Sequence, residues 1–159
     1  ATWSHILIAN TQNEIRTTRV SMAADDLIIG CDPIVSASKE TTLRMRAGRT
    51  HVALNGYSTP TAAFVKNSGW QNPSEACVAD IGNAIGAQAH AGKLGVFDAN
   101  AVATQLMGDT IFINPMILGY AWHKGWVQPR TLWSLMKVNA CNVITAKWLV
   151  QKRMRELLV

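Results

Sequence analysis

Asp26-Leu27-Ile28-Ile29-Gly30-Cys31-Asp32 constrains this chain more than any other stretch, because four successive apolar or Gly positions show no polar alternation. A strand with one wet face alternates, whereas a run like this one suits a strand covered on both faces, the habit of parallel sheets in α/β domains. Thr50-His51-Val52-Ala53-Leu54-Asn55 and Lys93-Leu94-Gly95-Val96-Phe97 repeat the theme. Helical patterns separate the three runs. Pro33 to Arg46 carries Ile34, Ala37, Thr41 and Met45 at helical spacing, with Asp32 as cap, Pro33 at the first helical position and Gly48 as terminator. Ser74 to Ile85 reads as a second helix, started near Asn72 or Ser74. Asp98 is a natural cap for a third over residues 99–107, and Gly108-Asp109 breaks it.

A further helix is expected over 110–124, closed by Gly125 and either kinked at Pro115 or restarted with Asn114 as cap. Thr131 to about Leu158 reads as one long helix, with Met136, Ala140, Val143, Ala146, Val150, Met154 and Leu157 at spacings of three and four. Near the start, Ser4-His5-Ile6-Leu7-Ile8-Ala9 is expected to be a strand, and residues 56–71 a loop. Strands alternating with helices specify an α/β layered domain with a mainly parallel sheet. At 159 residues the chain is long enough for one such domain with its own core.

Nine Lys or Arg and nine Asp or Glu precede Arg130. The net charge of +5 therefore belongs to the segment from Arg130 onward, where Arg130, Lys137, Lys147, Lys152, Arg153 and Arg155 oppose Glu156. That pattern fits the last turns of a helix better than a nucleic-acid groove. No apolar run reaches membrane-spanning length and the first residues do not resemble a signal peptide, so a cytoplasmic protein is expected, with neither a membrane nor nucleic acid as partner. The missing initiator Met suggests processing or excision from a longer chain.

Cys31, Cys77 and Cys141 are odd in number and widely spaced, which argues against a disulfide framework and against a metal or iron–sulfur site in this chain. No G-x-G-x-x-G follows a strand and there is no P-loop. His5, His51, His90 and His123 lack metal spacing, so structural roles are expected for them. Cys31, after a strand and before a helix, could be activated there, yet the expectation is a small, buried, unreactive residue in a tight turn. Asp98 could serve catalysis from a strand end, but capping already accounts for it. No catalytic or cofactor-binding residue is assigned. Of six Trp residues, Trp122, Trp126, Trp133 and Trp148 fall in the C-terminal part and suggest an interface.

Two groups of segments carry a resemblance. One is residues 26–40, with Gly30-Cys31-Asp32, Val35 and Ala37-Ser38-Lys39-Glu40, followed by Met45-Arg46-Ala47-Gly48-Arg49-Thr50 and Thr59-Pro60-Thr61-Ala62-Ala63-Phe64. The other is Asp98-Ala99, Leu106-Met107-Gly108-Asp109-Thr110 and Leu118-Gly119-Tyr120-Ala121-Trp122-His123-Lys124-Gly125. Over about residues 3–148 the chain resembles the gamma-type domain of 2-oxoacid:ferredoxin oxidoreductases, closest to the fused indolepyruvate enzymes.

The resemblance implies a Rossmann-like three-layer unit that packs against thiamine-binding and iron–sulfur domains. Those domains would hold the thiamine diphosphate and iron–sulfur clusters, with coenzyme A and ferredoxin serving the full enzyme. No cofactor is expected on this chain, and its role would be structural rather than catalytic. A domain of the same fold that has lost its enzyme is the other reading. The family's Gly-rich opening is not matched, so the domain is expected to be N-terminally incomplete, its gap filled by another segment or by self-association. Gly56-Tyr57-Ser58 stands where the family has a His-Glu pair after Thr, and Val138-Asn139-Ala140 where it has Leu-Asn-Gly.

Overall fold

The computed structural model describes residues 3–57, 73–88 and 91–128. Three parallel strands, β1 (Leu27–Gly30), β2 (His51–Asn55) and β3 (Leu94–Phe97), form a sheet in the order β1-β2-β3. Ile28 lies opposite Val52, and Ala53 opposite Gly95. The apolar runs predicted to be strands on both-sided cover are these strands, each shortened by a residue or two at its ends. The chain is an α/β fold.

Period-two alternation sorts the strand residues onto two faces. Val52 and Leu54, with Ile28 and Leu94, join Met45, Ile81 and Ile85 in one core. Ala53, with Leu27, Ile29 and Phe97, joins Ala99, Ile117, Ala121 and Val127 in the other. The first core is closed by two single helical turns, α1 (Pro33–Ser36) and α2 (Lys39–Thr42), and by α3 (Ser74–Ile85). Crossovers between neighbouring parallel strands share one hand, so the helical segments of successive crossovers fall on the same face, and α1 packs on α3. After β3 the chain changes face. Helices α4 (Ala99–Met107) and α5 (Ile113–His123) form the second helical layer, and α5 runs back across β2 to β1.

The Asp32 and Asp98 caps are as expected, whereas Gly48 ends no helix, because the last helical turn before it stops at Thr42. Asp32 accepts from Ile34 and Val35 N–H at 2.7 and 3.2 Å, with Pro33 first in the helical turn. Asp98 accepts from Ala101 N–H at 2.9 Å. Replacing Asp98 with Ala should cost about 1 kcal/mol, read as a lower urea midpoint with unchanged slope. Gly86 and Gly125 end their helices with φ of 66° and 74°, a conformation side chains resist.

Three further expectations need correction. The helix over 33–46 breaks into α1 and α2. The break falls at Ser38, whose backbone is extended (φ −60°, ψ 149°), and Thr41 Oγ1 donates across it to the Val35 carbonyl at 3.3 Å. Residues 4–9 form no strand. No other strand lies beside them among the described residues, so Ile6, Leu7 and Ile8 stay exposed. The segment is held instead through Trp3 Nε1 donating to Thr41 Oγ1 at 3.2 Å and Val20 N–H donating to His5 Nδ1 at 3.4 Å. The helix expected over 110–124 opens as a 3-10 turn, Thr110–Phe112, capped by Asp109. Pro115 then lies in the first turn of α5, where its missing N–H breaks no bond, so there is no kink and Asn114 is not the cap. The helix expected from Ser74 to Ile85 is α3, with those bounds. The long helix from Thr131, most of the loop over 56–71, His90, Cys141, Trp133 and Trp148 lie outside the described residues.

Candidate functional site

Open α/β sheets bind ligands beyond the carboxyl ends of their strands, so that edge is where a site would be sought. Here it consists of Gly30-Cys31-Asp32, Asn55-Gly56-Tyr57 and Phe97-Asp98. Asn55 organises it. The side chain is 2% exposed and makes four hydrogen bonds, the full capacity of an amide with two donors and two acceptor lone pairs. Its Nδ2 donates to the Cys31 carbonyl at 3.2 Å and to Asn100 Oδ1 at 2.8 Å. Its Oδ1 accepts from Tyr57 N–H at 3.2 Å and Ala99 N–H at 3.0 Å. One side chain, at the end of β2, thus ties the segments that follow β1 and β2 to the start of α4, the helix that follows β3. Sequence reasoning passed Asn55 over. The available signal was a buried-strand run ending in Asn-Gly, a position where an amide can satisfy the backbone as pairing stops.

The same edge presents two helix N-termini, and each already holds a carboxylate, Asp32 on α1 and Asp98 on α4. The N–H groups of Ile34 and Val35 on α1, and of Ala99 and Ala101 on α4, are bonded within the chain, and the carboxylates add negative charge where an anion would sit. Asp98 acts as the cap the sequence suggested. What the crest is equipped to do is hold three loops in fixed register.

Cys31 is also at this edge, but exposed rather than buried as the sequence suggested, because β1 ends before it and its side chain leaves the sheet. Partial desolvation and, secondarily, the Asp32 carboxylate push its thiol up. Both oppose thiolate formation, the species that reacts. Alkylation followed against pH should therefore show a midpoint for Cys31 above the ordinary value of about 8.5, whereas an activated nucleophile would titrate below it.

The described histidines, His5, His51 and His123, do not converge on the crest. His5 accepts from Val20, and His123 is exposed at the end of α5. His51 begins β2 at the opposite, amino end of the sheet. Its ring lies 5.1 Å from that of Trp126, and Lys93 Nζ is 3.4 Å from its Nε2. An ammonium only donates, so the neutral ring accepts at Nε2 and carries its proton on Nδ1. Burial and then Lys93 lower the His51 pKa, against the opposing pull of Asp26. In the unfolded chain His51 protonates near 6.5. Above that pH both states are neutral and its contribution is complete. As pH falls below 6.5 the unfolded chain takes up the proton first, so stability drops until the folded pKa is passed. The fall in urea midpoint between pH 7.5 and 5.5 should accordingly be smaller in His51→Gln than in the parent chain.

Among the described residues no group of three or more His, Cys, Asp or Glu is placed to hold a metal ion. None of the single helices there is long and apolar enough to cross a membrane. Of the Trp residues expected at an interface, Trp122 and Trp126 are half-buried against the core of the α4–α5 face. No protein-family model, curated protein or solved structure matches the chain.

Proposed function

We propose that this chain is the gamma-type domain of a cytoplasmic 2-oxoacid:ferredoxin oxidoreductase, closest to the indolepyruvate type, and that it serves assembly rather than the chemistry. The enzyme as a whole would decarboxylate a 2-oxoacid oxidatively, form an acyl-coenzyme A thioester and reduce ferredoxin. Thiamine diphosphate and the iron–sulfur clusters would be held by its other domains. The observation that supports this reading is the Asn55-centred crest. The polar groups at the strand ends, where an α/β enzyme would place its reacting groups, are committed to bonds within the chain. Such a unit is suited to shape a neighbour. The α/β fold with a parallel sheet also agrees with what the motif resemblance implies.

The test uses the full polypeptide or complex that contains this sequence, purified without oxygen. The expected result is bound thiamine diphosphate and iron–sulfur clusters, with reduction of a ferredoxin or viologen acceptor that requires both indolepyruvate and coenzyme A. Asp98→Ala should leave that turnover within a few-fold of the parent. A preparation without these cofactors would overturn the enzyme assignment, and loss of turnover in a folded, fully loaded Asp98→Ala enzyme would overturn the non-catalytic role.

A further inference from the structure

The amino end of the sheet carries a second assembly of side chains, independent of the crest. Lys93 Nζ stands 3.4 Å from His51 Nε2. The His51 ring is 5.1 Å from Trp126, Trp126 meets Tyr120 edge-on at 6.1 Å, and Lys124 Nζ sits 5.5 Å from the centre of the Tyr120 ring. A half-buried aromatic strip, His51-Trp126-Tyr120, is therefore bracketed by two ammonium groups. Neither lysine forms an ion pair among the described residues, whose two salt bridges are Arg44–Glu40 and Arg49–Asp26. The nearby Asp26 carboxylate is taken by Arg49 at 2.6 Å. Two cations thus share a surface with aromatic rings and lack a carboxylate, although the chain before Arg130 holds as many acidic as basic side chains.

We propose that this strip is a docking surface for an acidic segment of a partner protein, in which an apolar or aromatic residue is flanked by carboxylates. Charge complementarity selects the occupant. The segment of this chain from Arg130 onward is itself basic, with Glu156 its one acid, so it repels the lysines rather than pairing with them. A second copy of a chain with net charge +5 carries the same disadvantage. Nucleic acid is favoured by a groove of many cations tracking a backbone, whereas the strip offers two at the ends of an aromatic surface. The rings would supply contact area with few rotors to freeze, and the ammoniums would set register and steer the encounter.

The experiment measures anisotropy of a fluorescein-labelled peptide, a Phe between two pairs of Glu, titrated with the whole chain. Saturable binding that weakens with salt is expected. Lys93→Glu combined with Lys124→Glu should weaken it at least about tenfold, while Lys39→Glu, a charge reversal on exposed α2, should leave it nearly unchanged. Lys93→Met with Lys124→Met keeps the alkyl stems and should weaken binding less than the reversal, so the measurement stands even if the reversed chain folds poorly. The proposal is overturned if neither pair of substitutions changes affinity or if Lys39→Glu weakens it equally. An oligothymidylate bound more tightly than the peptide through the same lysines would overturn it in favour of nucleic acid. A dimer dispersed by the Lys93 and Lys124 changes would assign the strip to a second copy instead.

Discussion

Asn55→Leu is expected to cost about 2–4 kcal/mol, a large share of the 5–15 kcal/mol that holds a typical domain. The substitution keeps the branched shape, with two methyls in place of the amide, and removes all four hydrogen bonds. Ala99 N–H is buried and donates to Asn55, so it is left stranded at the full desolvation cost, and the Asn100 amide loses its partner. Cys31 and Tyr57 are exposed, so water replaces part of what they lose. Asn55→Asp separates the two halves of the amide. It retains the acceptor for Ala99 and Tyr57 but turns a carboxylate oxygen toward the Cys31 carbonyl. The Asp variant should therefore be much less stable than the parent at pH 7 and should recover part of the gap in acid, where the protonated carboxyl donates again. Urea denaturation across pH checks both. A Leu variant with the parent's midpoint would mean that Asn55 does not hold the strand ends together.

Gly95→Val is expected to be the most damaging apolar substitution, at or beyond the top of the 1–3 kcal/mol range usual for overpacking. Gly95 sits in the central row of the α4–α5 face, beside Ala53, and the Tyr120 ring lies directly on it. A Cβ built there would come within 2.8 Å of Tyr120 Cζ, and closer to its Cε1 and hydroxyl oxygen. Tyr120 cannot retreat freely, since its ring is 4.7 Å from Phe97 and 6.1 Å from Trp126. Extra volume must lift α5 or turn the ring out of its place. Thermal melts should show the loss, and the Trp emission should shift as Trp126 is exposed. Tyr120→Ala combined with Gly95→Val should lose less than the sum of the two single changes, because the cavity left by one accommodates the other. Strict additivity would show that the ring does not limit what position 95 can hold.

Much of the strand-and-helix framework was legible because it depends on signals between near neighbours. The unalternated runs at 27–30 and 52–54 read as doubly covered strands, and both faces are covered. Asp32 and Asp98 read as caps since a carboxylate two or three residues before a free N–H needs nothing distant to reach it. Residues 4–9 misled for the opposite reason. Ile6-Leu7-Ile8 has strand composition, yet a strand exists only with a neighbour to bond, and composition does not reveal whether one is adjacent. The 33–46 stretch misled because apolar spacing does not register a single extended residue, and Ser38 takes the backbone out of the helix there, with Thr41 Oγ1 bonding across the break to Val35.

The sequence by itself determined the class of fold: three short parallel strands with helical segments between and after them, Asp32 and Asp98 serving as caps. These choices rest on dihedral preference, capping and hydrophobic period, all set within a few residues. It also carried the motifs on which the proposed function rests. Only the tertiary structure decided what sits together. Asn55 meets Cys31 and Asn100 across 24 and 45 positions of chain, and His51 meets Lys93 across 42. It likewise placed the Tyr120 ring on Gly95, turning an apparently weak strand residue into one that admits nothing larger. Such contacts follow from strand order, register and the face each helix covers, and these are fixed by the packing of the whole domain rather than by any local stretch.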